Sequence, residues 1–194
     1  GIFAADGAPL VINEPAFLIW ANPQNLKDPK TVARALAGVA GRTEEDLIAA
    51  LTQPGRVWVP LAHKVPEIET QKIKALAIAG LGFEREPRRF YPEASMAGQL
   101  LGFVGSAPNG NDKGDLGLEG YYDRELRGKD GVIQLEKDAK GAPILVGEAA
   151  RIEPEDGRSL RLWLARSVQQ IVERSLREGL TKYGASQGSV VVMN

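Results

Sequence analysis

A run of short, glycine-punctuated blocks between residues 88 and 141 constrains the fold of this chain more than any other feature. The blocks are RRFYP (88–92), AGQLLGFVG (97–105), GLEGY (117–121), LRG (126–128) and DAKG (138–141). Glycine readily ends a helix because it adopts the left-handed conformation without steric cost, and these glycines follow short apolar segments. The pattern therefore predicts a fixed architecture of short elements and turns, and it indicates structure more than chemistry.

Length and composition narrow the class of protein. The chain has 194 residues, a formal net charge of -1 and no cysteine. It is long enough for one domain or two small ones with a buried core. The balanced charge argues against nucleic acid as a partner, and the absence of cysteine excludes disulfides and thiolate metal sites. No apolar run approaches the roughly 20 residues that cross a bilayer, and the sequence begins at Gly1. We therefore expect a native membrane anchor to have been removed from in front of this chain.

The first part of the chain predicts strands followed by helices. Residues 2–10 and 17–20 are typical of short strands, with a turn at Asp6-Gly7. Further along, helices are predicted to begin after Asp28 and after Thr43, a strand over 56–61, and a third helix over 66–79. Residues 27–84 are accordingly expected to form a compact, mostly helical subdomain, inserted between residues 1–26 and 85–160.

The remainder mixes both kinds of element. The predicted helices cover 93–101, 118–126 and 166–180, the last with an apolar stripe from Val168 to Leu176. The predicted strands cover 132–137 and 142–148 around the DAKG turn, then 159–164 and 189–193. Residues 106–115 are expected to be a polar, glycine-rich loop. The whole chain is therefore predicted to be α+β, with a β-rich module and an inserted helical subdomain.

No residue pattern predicts catalysis, a metal site or a cofactor. His63, the only histidine, has Ala62 and Lys64 as neighbours and is interpreted as a structural or surface residue. The loop from Asn109 resembles a calcium loop, but Lys113 stands where an oxygen ligand belongs. No serine is followed three residues later by lysine, and neither Ser-x-Asn nor Lys-Thr-Gly occurs. One alternative stays open: a free-standing hydrolase or ligand-binding enzyme that uses the glycine-rich residues 102–120.

Two charged residues of the motif blocks stand in apolar surroundings. Arg89 precedes an aromatic residue, and Glu119 follows Leu118. Charges are tolerated in such surroundings when they are matched. We therefore predict that Arg89 and Glu119 form an ion pair that locks their two blocks together. Together with the helix stops and turns of the blocks, this pair assigns a structural role to a larger set of residues: Arg89, Pro92, Gly102, Gly117, Glu119, Gly128, Asp138 and Gly141.

Taken in order and at their spacing, the blocks resemble the N-terminal dimerisation or pedestal domain of class B penicillin-binding proteins. Residues 1–10 resemble the opening motif of that domain, and residues 88–105 resemble its first pedestal motif. Residues 117–128 resemble the second pedestal motif, Asp138 and Gly141 follow at the expected place, and residues 157–169 resemble the third. The resemblance covers nearly the whole chain. The helical segment 27–84 and its connection to RRFYP favour the division-type septal enzymes.

The resemblance implies a function for the parent protein. Residues 1–26 and 85–160 would form the pedestal, and residues 161–194 would be the truncated start of a D,D-transpeptidase domain that reacts with β-lactams. The chain itself would be non-catalytic: it would position that domain and contact proteins of cell-wall synthesis or division. A homo-oligomer is a further candidate assembly, which the name of the family does not by itself establish. A single-pass anchor would place the module on the extracytoplasmic face of the bacterial cytoplasmic membrane.

The family pattern also predicts two local features. Ala165 stands where the third motif carries an aspartate that would cap the following helix, so we expect this cap to be absent or replaced by Ser167. Residues 189–193 would be a strand without its sheet. Because an unpaired apolar edge invites pairing, we expect this strand to pair with another copy or to dock on the pedestal.

Overall fold

The computed structural model describes residues 1–106, 112–129, 131–134 and 150–193. Its strands are β1 (Ile2–Phe3), β2 (Pro9–Glu14), β3 (Ala16–Ala21), β4 (Val59–Pro66), β5 (Leu81–Arg85), β6 (Arg88–Phe90), β7 (Val104–Ser106), β8 (Asp112–Gly114), β9 (Val132–Gln134), β10 (Ala150–Ile152) and β11 (Leu160–Arg161). Its α-helices are α1 (Pro29–Ala40), α2 (Glu44–Leu51), α3 (Glu67–Ala75), α4 (Gly98–Leu101), α5 (Gly117–Tyr121), α6 (Asp123–Arg127) and α7 (Arg166–Tyr183), and a 3-10 turn covers Pro23–Asn25. The predicted α+β class is confirmed.

The chain divides into two compact units, residues 13–90 and residues 1–12 with 91–194. The first unit is an antiparallel sheet of order β4-β3-β5 with helices α1, α2 and α3. Its core is apolar and continuous. The buried residues are Ile19, Ala21, Val32, Ala33, Leu36, Leu47, Leu51, Val59, Leu61, Ala62, Val65 and Ile73.

Helix boundaries in this unit follow their capping residues. The side chain of Asp28 accepts a hydrogen bond from the backbone N of Lys30, and that of Thr43 accepts one from Asp46. Gly41 ends α1 in the left-handed conformation at φ 60°. The starts of α1 and α2, predicted from the sequence, are therefore confirmed, because each cap provides an acceptor for an otherwise unpaired N–H.

The first unit, residues 13–90, extends beyond the limits 27–84 expected for the helical subdomain, and the division into pedestal and insertion stays a prediction. Strand β3 lies within residues 1–26, which are expected to belong to the pedestal. It pairs with both β4 and β5, so this sheet contains residues from both sides of the expected boundary at residue 27. Strand β5 was not predicted. Strand β4 begins at Val59, and α3 is shorter than expected because it starts after Pro66 and ends at Ala75.

In the second unit, β1 lies between β11, which is parallel, and β2, which is antiparallel. The opening strand and its turn are confirmed: Gly7 has φ 83°, and Asp6 accepts a hydrogen bond from the N of Ala8. The buried residues are Ile2, Ala4, Leu10, Val11, Met96, Ala97 and Leu101. Leu160, Leu162 and Leu164 pack together against this core, as their alternation predicted.

The helix predicted over 93–101 is reduced to the single turn α4. Ala94 and Ala97 have φ values of 50° and 53°, which a right-handed helix cannot include. The segment before α4 forms turns instead. Within this turn Leu101 is buried, whereas Leu100 is exposed. The predicted stop at Gly102 is confirmed.

Other elements of this unit were predicted in part. The helix expected over 118–126 is divided at Tyr122 into α5 and α6, and it ends at Gly128 as expected. Strands β7 and β8 form an unpredicted antiparallel pair. Because β8 lies within 106–115, the loop expected there is wrong for residues 112–114, and residues 107–111 lie outside the described residues. Strand β9 confirms the start of the predicted strand and pairs with β10. The DAKG turn and residues 142–148 lie outside the described residues.

The end of the chain differs from the prediction. Helix α7 is confirmed, and Gly184 ends it in the left-handed conformation. No strand forms over residues 189–193; Val191 and Met193 are exposed. Docking of this segment on the pedestal is not observed, and its pairing with another copy stays a prediction. Among the described residues, no strand lies beside the segment to satisfy its backbone groups.

Candidate functional site

The blocks around Gly102 and Gly117 meet through their backbones. A Cβ atom built on Gly102 would lie 1.6 Å from the carbonyl oxygen of Leu116, and one on Gly117 would lie 2.5 Å from that of Leu100. Both glycines also have positive φ, 75° and 58°. Only residues without a side chain permit this approach, so the predicted glycines hold α4 against α5.

A second backbone contact joins Gly128 to Gly157. A Cβ on Gly128 would lie 2.4 Å from the oxygen of Glu155, and one on Gly157 would lie 1.9 Å from that of Leu126. The predicted set contained Gly128 but not Gly157. Its partner lies about thirty residues further along, and no local spacing marks such a contact. Sequence reasoning therefore identified one side only.

Glu119 is buried, with 2% of its surface exposed. Beside it, Gly114 donates its backbone N–H to Asp123 Oδ1 at 2.8 Å, which fixes β8 against α6. Arg89 donates from Nη1 to Asn13 Oδ1 at 2.9 Å. The predicted pair between Arg89 and Glu119 stays a prediction.

The other predicted residues have plainer positions. Pro92 begins the turn segment that precedes α4. Arg88, a neighbour of the predicted set, donates from Nε to Glu14 Oε1 at 2.7 Å. Asp138 and Gly141 lie outside the described residues. The structural role assigned to the whole set stays a prediction.

His63 lies on β4 beside an acidic partner. Its Nδ1 is 3.0 Å from Glu86 Oε1, and Glu86 Oε2 accepts a hydrogen bond from the backbone N of Lys64 at 2.9 Å. Lys64 has φ 53° at an irregularity of the β3–β4 pairing. His63 and Glu86 thus stabilise a strained strand position. Within the part of the chain that the structure describes, the hydrogen-bond partner of the His63 ring is a carboxylate and not a hydroxyl group.

Arg166, which the sequence did not single out, is the centre of a charged cluster at the start of α7. It donates from Nε to Asp6 Oδ2 at 3.2 Å and from Nη1 to Glu93 Oε1 at 2.6 Å. The backbone N–H of Ala8 lowers the pKa of Asp6 below its usual range, and Arg166 lowers it further. These ion pairs are solvated, so their chemistry is that of a surface contact.

A cleft of about 330 Å³ lies beneath this cluster. It is lined by Ala5, Asp6, Glu93, Met96, Ala165, Arg166, Ser167 and Gln170. Ser167 is the hydroxyl side chain that lines this cleft. Helix α7 begins without a side-chain cap at Ala165, and Ser167 lies at its second position. The expected loss of the cap is confirmed, and replacement by Ser167 is not observed.

The described residues contain neither a metal-ligand cluster nor a membrane-crossing helix. No group of three or more histidine, cysteine, aspartate or glutamate side chains among them could hold a metal ion. No helix within the described ranges is long and apolar enough to cross a bilayer. The contacts found among the described residues are structural: close backbone contacts at glycines and charged contacts between elements.

Comparison with known proteins identifies the family. Residues 1–162 match the model of the penicillin-binding protein dimerisation domain. Stage V sporulation protein D of Bacillus subtilis is 30% identical over 195 residues, which cover 100% of this chain and 30% of that protein. Peptidoglycan D,D-transpeptidase FtsI of Escherichia coli K12 is 26% identical, over 97% of this chain and 32% of its own length. The chain thus spans about a third of the length of these relatives.

Solved structures share the fold. Penicillin-binding protein PBP2 of Helicobacter pylori, in its complex with MreC, superposes with a TM-score of 0.67 at 20% identity and covers 92% of this chain and 37% of that one. Penicillin-binding protein 2X of Streptococcus thermophilus gives 0.60 at 22% identity, over 93% of this chain and 30% of that one. Because the family match covers 162 of the 194 residues, the chain belongs to the penicillin-binding protein dimerisation domain family.

Proposed function

We propose that this chain is a non-catalytic module that positions a D,D-transpeptidase domain and contacts other proteins of peptidoglycan synthesis. The observation that carries the proposal is the family match over residues 1–162, together with relatives about three times as long that are named peptidoglycan D,D-transpeptidases. A domain that occupies one third of such an enzyme leaves the remainder for catalysis. The module acts on the extracytoplasmic face of the cytoplasmic membrane, and a single-pass segment of the full-length protein anchors it there.

The geometry of the module supports this role. A positioning element must resist deformation, and backbone contacts at Gly102, Gly117, Gly128 and Gly157 leave no flexible side chain between the elements they join. Among the described residues, no serine or threonine forms a hydrogen bond with His63. In the sequence, no lysine follows a serine at the three-residue spacing of a penicillin-reactive nucleophile. The alternative enzyme that uses residues 102–120 has no such observation in its favour.

A fluorescent penicillin tests the division of labour. We expect the full-length gene product to become covalently labelled and this 194-residue chain, at equal concentration, to remain unlabelled. Heat-denatured samples of both control for non-specific attachment. Labelling of the isolated chain would overturn the non-catalytic assignment, and failure of the full-length protein to react would overturn the transpeptidase assignment.

Protein contacts are the second part of the proposal. The PBP2 relative was solved in a complex with MreC, which supports a surface for protein partners in this fold. We assign the parent protein to the division-type enzymes, with FtsI among its relatives in support. A fluorescent fusion of the full-length protein should concentrate at the division septum. Uniform distribution along the lateral wall would exclude the division assignment while leaving the module's role intact.

A further inference from the structure

Helix α7 is held on its unit in an unusual way. Over its 18 residues it has no fully buried side chain, although its sequence is strongly amphipathic. Ile171, in the middle of its apolar stripe, is 53% exposed. Most helices of globular proteins derive their stability from an apolar face packed on a core. Apolar packing of α7 is thus partial, with Val172 and Leu176 half-buried, and polar contacts contribute to keeping the helix in place.

Two charged residues of α7 provide specific contacts to the rest of the unit. Arg166 reaches Asp6 and Glu93, as described above. Two helical turns later, Glu173 Oε1 accepts a hydrogen bond from the backbone N of Ala97 at 2.8 Å. Residues seven apart lie on the same face of a helix, so Arg166 and Glu173 point toward the same neighbouring segment, residues 91–101.

The contact between Glu173 and Ala97 provides an acceptor for a backbone N–H that has no partner within helix α4. Ala97 is buried and left-handed at φ 53°, and it immediately precedes α4. An N–H at the start of a helix has no partner within that helix. Gln169 donates from Nε2 to the same Glu173 oxygen at 2.8 Å, which orients the carboxylate. Glu173 is thus built into the structure as a partner for Ala97.

Packing at the base of α7 is loose. The cleft of about 330 Å³ separates the first turn of α7 from Met96 and the Asp6 turn. Side chains that face an open cleft lose the dispersion contacts that a packed core would give. The contacts of Arg166 with Asp6 and Glu93 therefore lie at the wall of an open cleft and not within a tightly packed interface.

We propose that Arg166 and Glu173 form a polar latch that holds α7 on its unit, and that opening the latch releases α7 as one helical element. The acidic partners on the facing elements are Asp6 and Glu93, and Arg161 lies nearby with a hydrogen bond to the Ala5 carbonyl. Release occurs without unfolding the β11-β1-β2 sheet, because the latch residues contribute nothing to the buried core. This inference concerns the chain itself and is independent of the proposed function.

Hydrogen–deuterium exchange on the full chain tests the latch. In the variant Arg166→Ala/Glu173→Ala we expect amides of α7 to exchange about tenfold faster or more, while β1 and β2 keep their protection. The matched control is Arg177→Ala/Glu178→Ala, which makes the same changes at exposed positions of the same helix. Both variants gain the same intrinsic helix propensity, and the helix dipole favours removal of a cation from the first turn. Faster exchange of α7 in Arg166→Ala/Glu173→Ala than in the control therefore reports the lost contacts.

Salt provides a second measurement that needs no variant. Raising NaCl from low to high concentration screens solvated ion pairs, so α7 of the unmodified chain should exchange faster while the sheet does not. The proposal is overturned if neither the double variant nor salt changes α7 exchange selectively. It is also overturned if α7 and the β1–β2 strands always lose protection together. Should the double variant fail to fold, Glu173→Ala alone and the salt series decide.

Discussion

The two compact units are stabilised by different means. Residues 13–90 enclose a continuous apolar core between a sheet and helices, and Gly38 on α1 and Gly41 just after it face open space. The other unit has a smaller buried cluster, and glycines there bring backbone directly against backbone. The first unit also has a tightly packed glycine, Gly82, but its neighbour there is the side chain of Trp20. We therefore expect the loss of apolar side chains to dominate in the first unit and clashes with backbone at its glycines to dominate in the second. Substitutions can test this contrast directly.

The largest effect is expected for Gly102→Ala. The new Cβ would lie 1.6 Å from the Leu116 oxygen at a φ of 75°, so the α4–α5 contact must separate. We expect a loss of about 4 kcal/mol or more in the free energy of unfolding, measured with urea. Gly38→Ala, in the last turn of α1 with nothing within 4 Å, should instead gain up to about 0.5–1 kcal/mol. Equal responses of the two variants would remove the contrast.

Glu119 tests the predicted ion pair. If Arg89 is its partner, Glu119→Gln should cost about 3–5 kcal/mol, because the remaining charge loses its match. Combining it with Arg89→Gln should then cost less than the sum of the two single changes. Arg88→Gln is the control, since Arg88 bonds to Glu14. Additive costs for Arg89 and Glu119 would show that they do not form a pair.

Leu36→Ala tests the apolar unit. Leu36 is fully buried among the core residues of α1, so removal of its side chain should cost about 2–5 kcal/mol by urea unfolding. The comparison is Ile68→Ala on α3, an exposed position where the change should stay within about 0.5 kcal/mol. If both variants behaved alike, the apolar core would not be the source of stability in this unit.

Helix caps give a smaller and reciprocal effect. Asp28→Ala removes the acceptor that begins α1 and should cost about 1 kcal/mol. Helix α7 lacks such an acceptor, so Ala165→Ser should gain about 0.5–1 kcal/mol. Thermal unfolding of each variant against the unmodified chain measures both. A neutral Ala165→Ser would indicate that the first turn of α7 is already satisfied by other donors and acceptors.

These contrasts explain how far the sequence could predict the fold. The starts of α1 and α2 were correct because a cap acts within three residues, where spacing is visible in the sequence. Strand β5 was missed because its role depends on β3, some sixty residues earlier. The helix over 93–101 was wrong because Ala94 and Ala97 adopt left-handed conformations that only tertiary contacts impose.

The candidate site follows the same rule. Gly102 and Gly117 were identified because each also ends or begins a local element. Gly157 and Arg166 lie in the block 157–169, but neither they nor Glu173 were singled out, because their contacts connect distant segments and the sequence does not show their partners. Residues that begin or end a helix can therefore be predicted from one sequence, whereas the contacts between segments far apart in the sequence cannot.

The smallest effect concerns pH, and it distinguishes local from distant partners. The pKa of Asp28 is lowered by Thr31 and by the backbone of Lys30, whereas that of Asp6 is lowered by Ala8 and also by Arg166, 160 residues away. A carboxylate with a lowered pKa contributes stability that is complete above its unfolded pKa and is lost as the pH falls through the folded value. Asp6→Asn and Asp28→Asn should therefore each converge on the unmodified chain between about pH 5 and pH 2.

Repeating both substitutions in an Arg166→Ala background separates the two cases. The pH-dependent difference for Asp6 should shrink but persist, since the hydrogen bond from Ala8 is the larger cause of its lowered pKa. The difference for Asp28 should be unchanged, because its partners lie within its own helix. Urea unfolding across the pH range measures both quantities. An Asp6 difference that Arg166→Ala leaves intact would mean that the contact to α7 is fully screened by solvent, so that each unit would rely on local partners for its carboxylates.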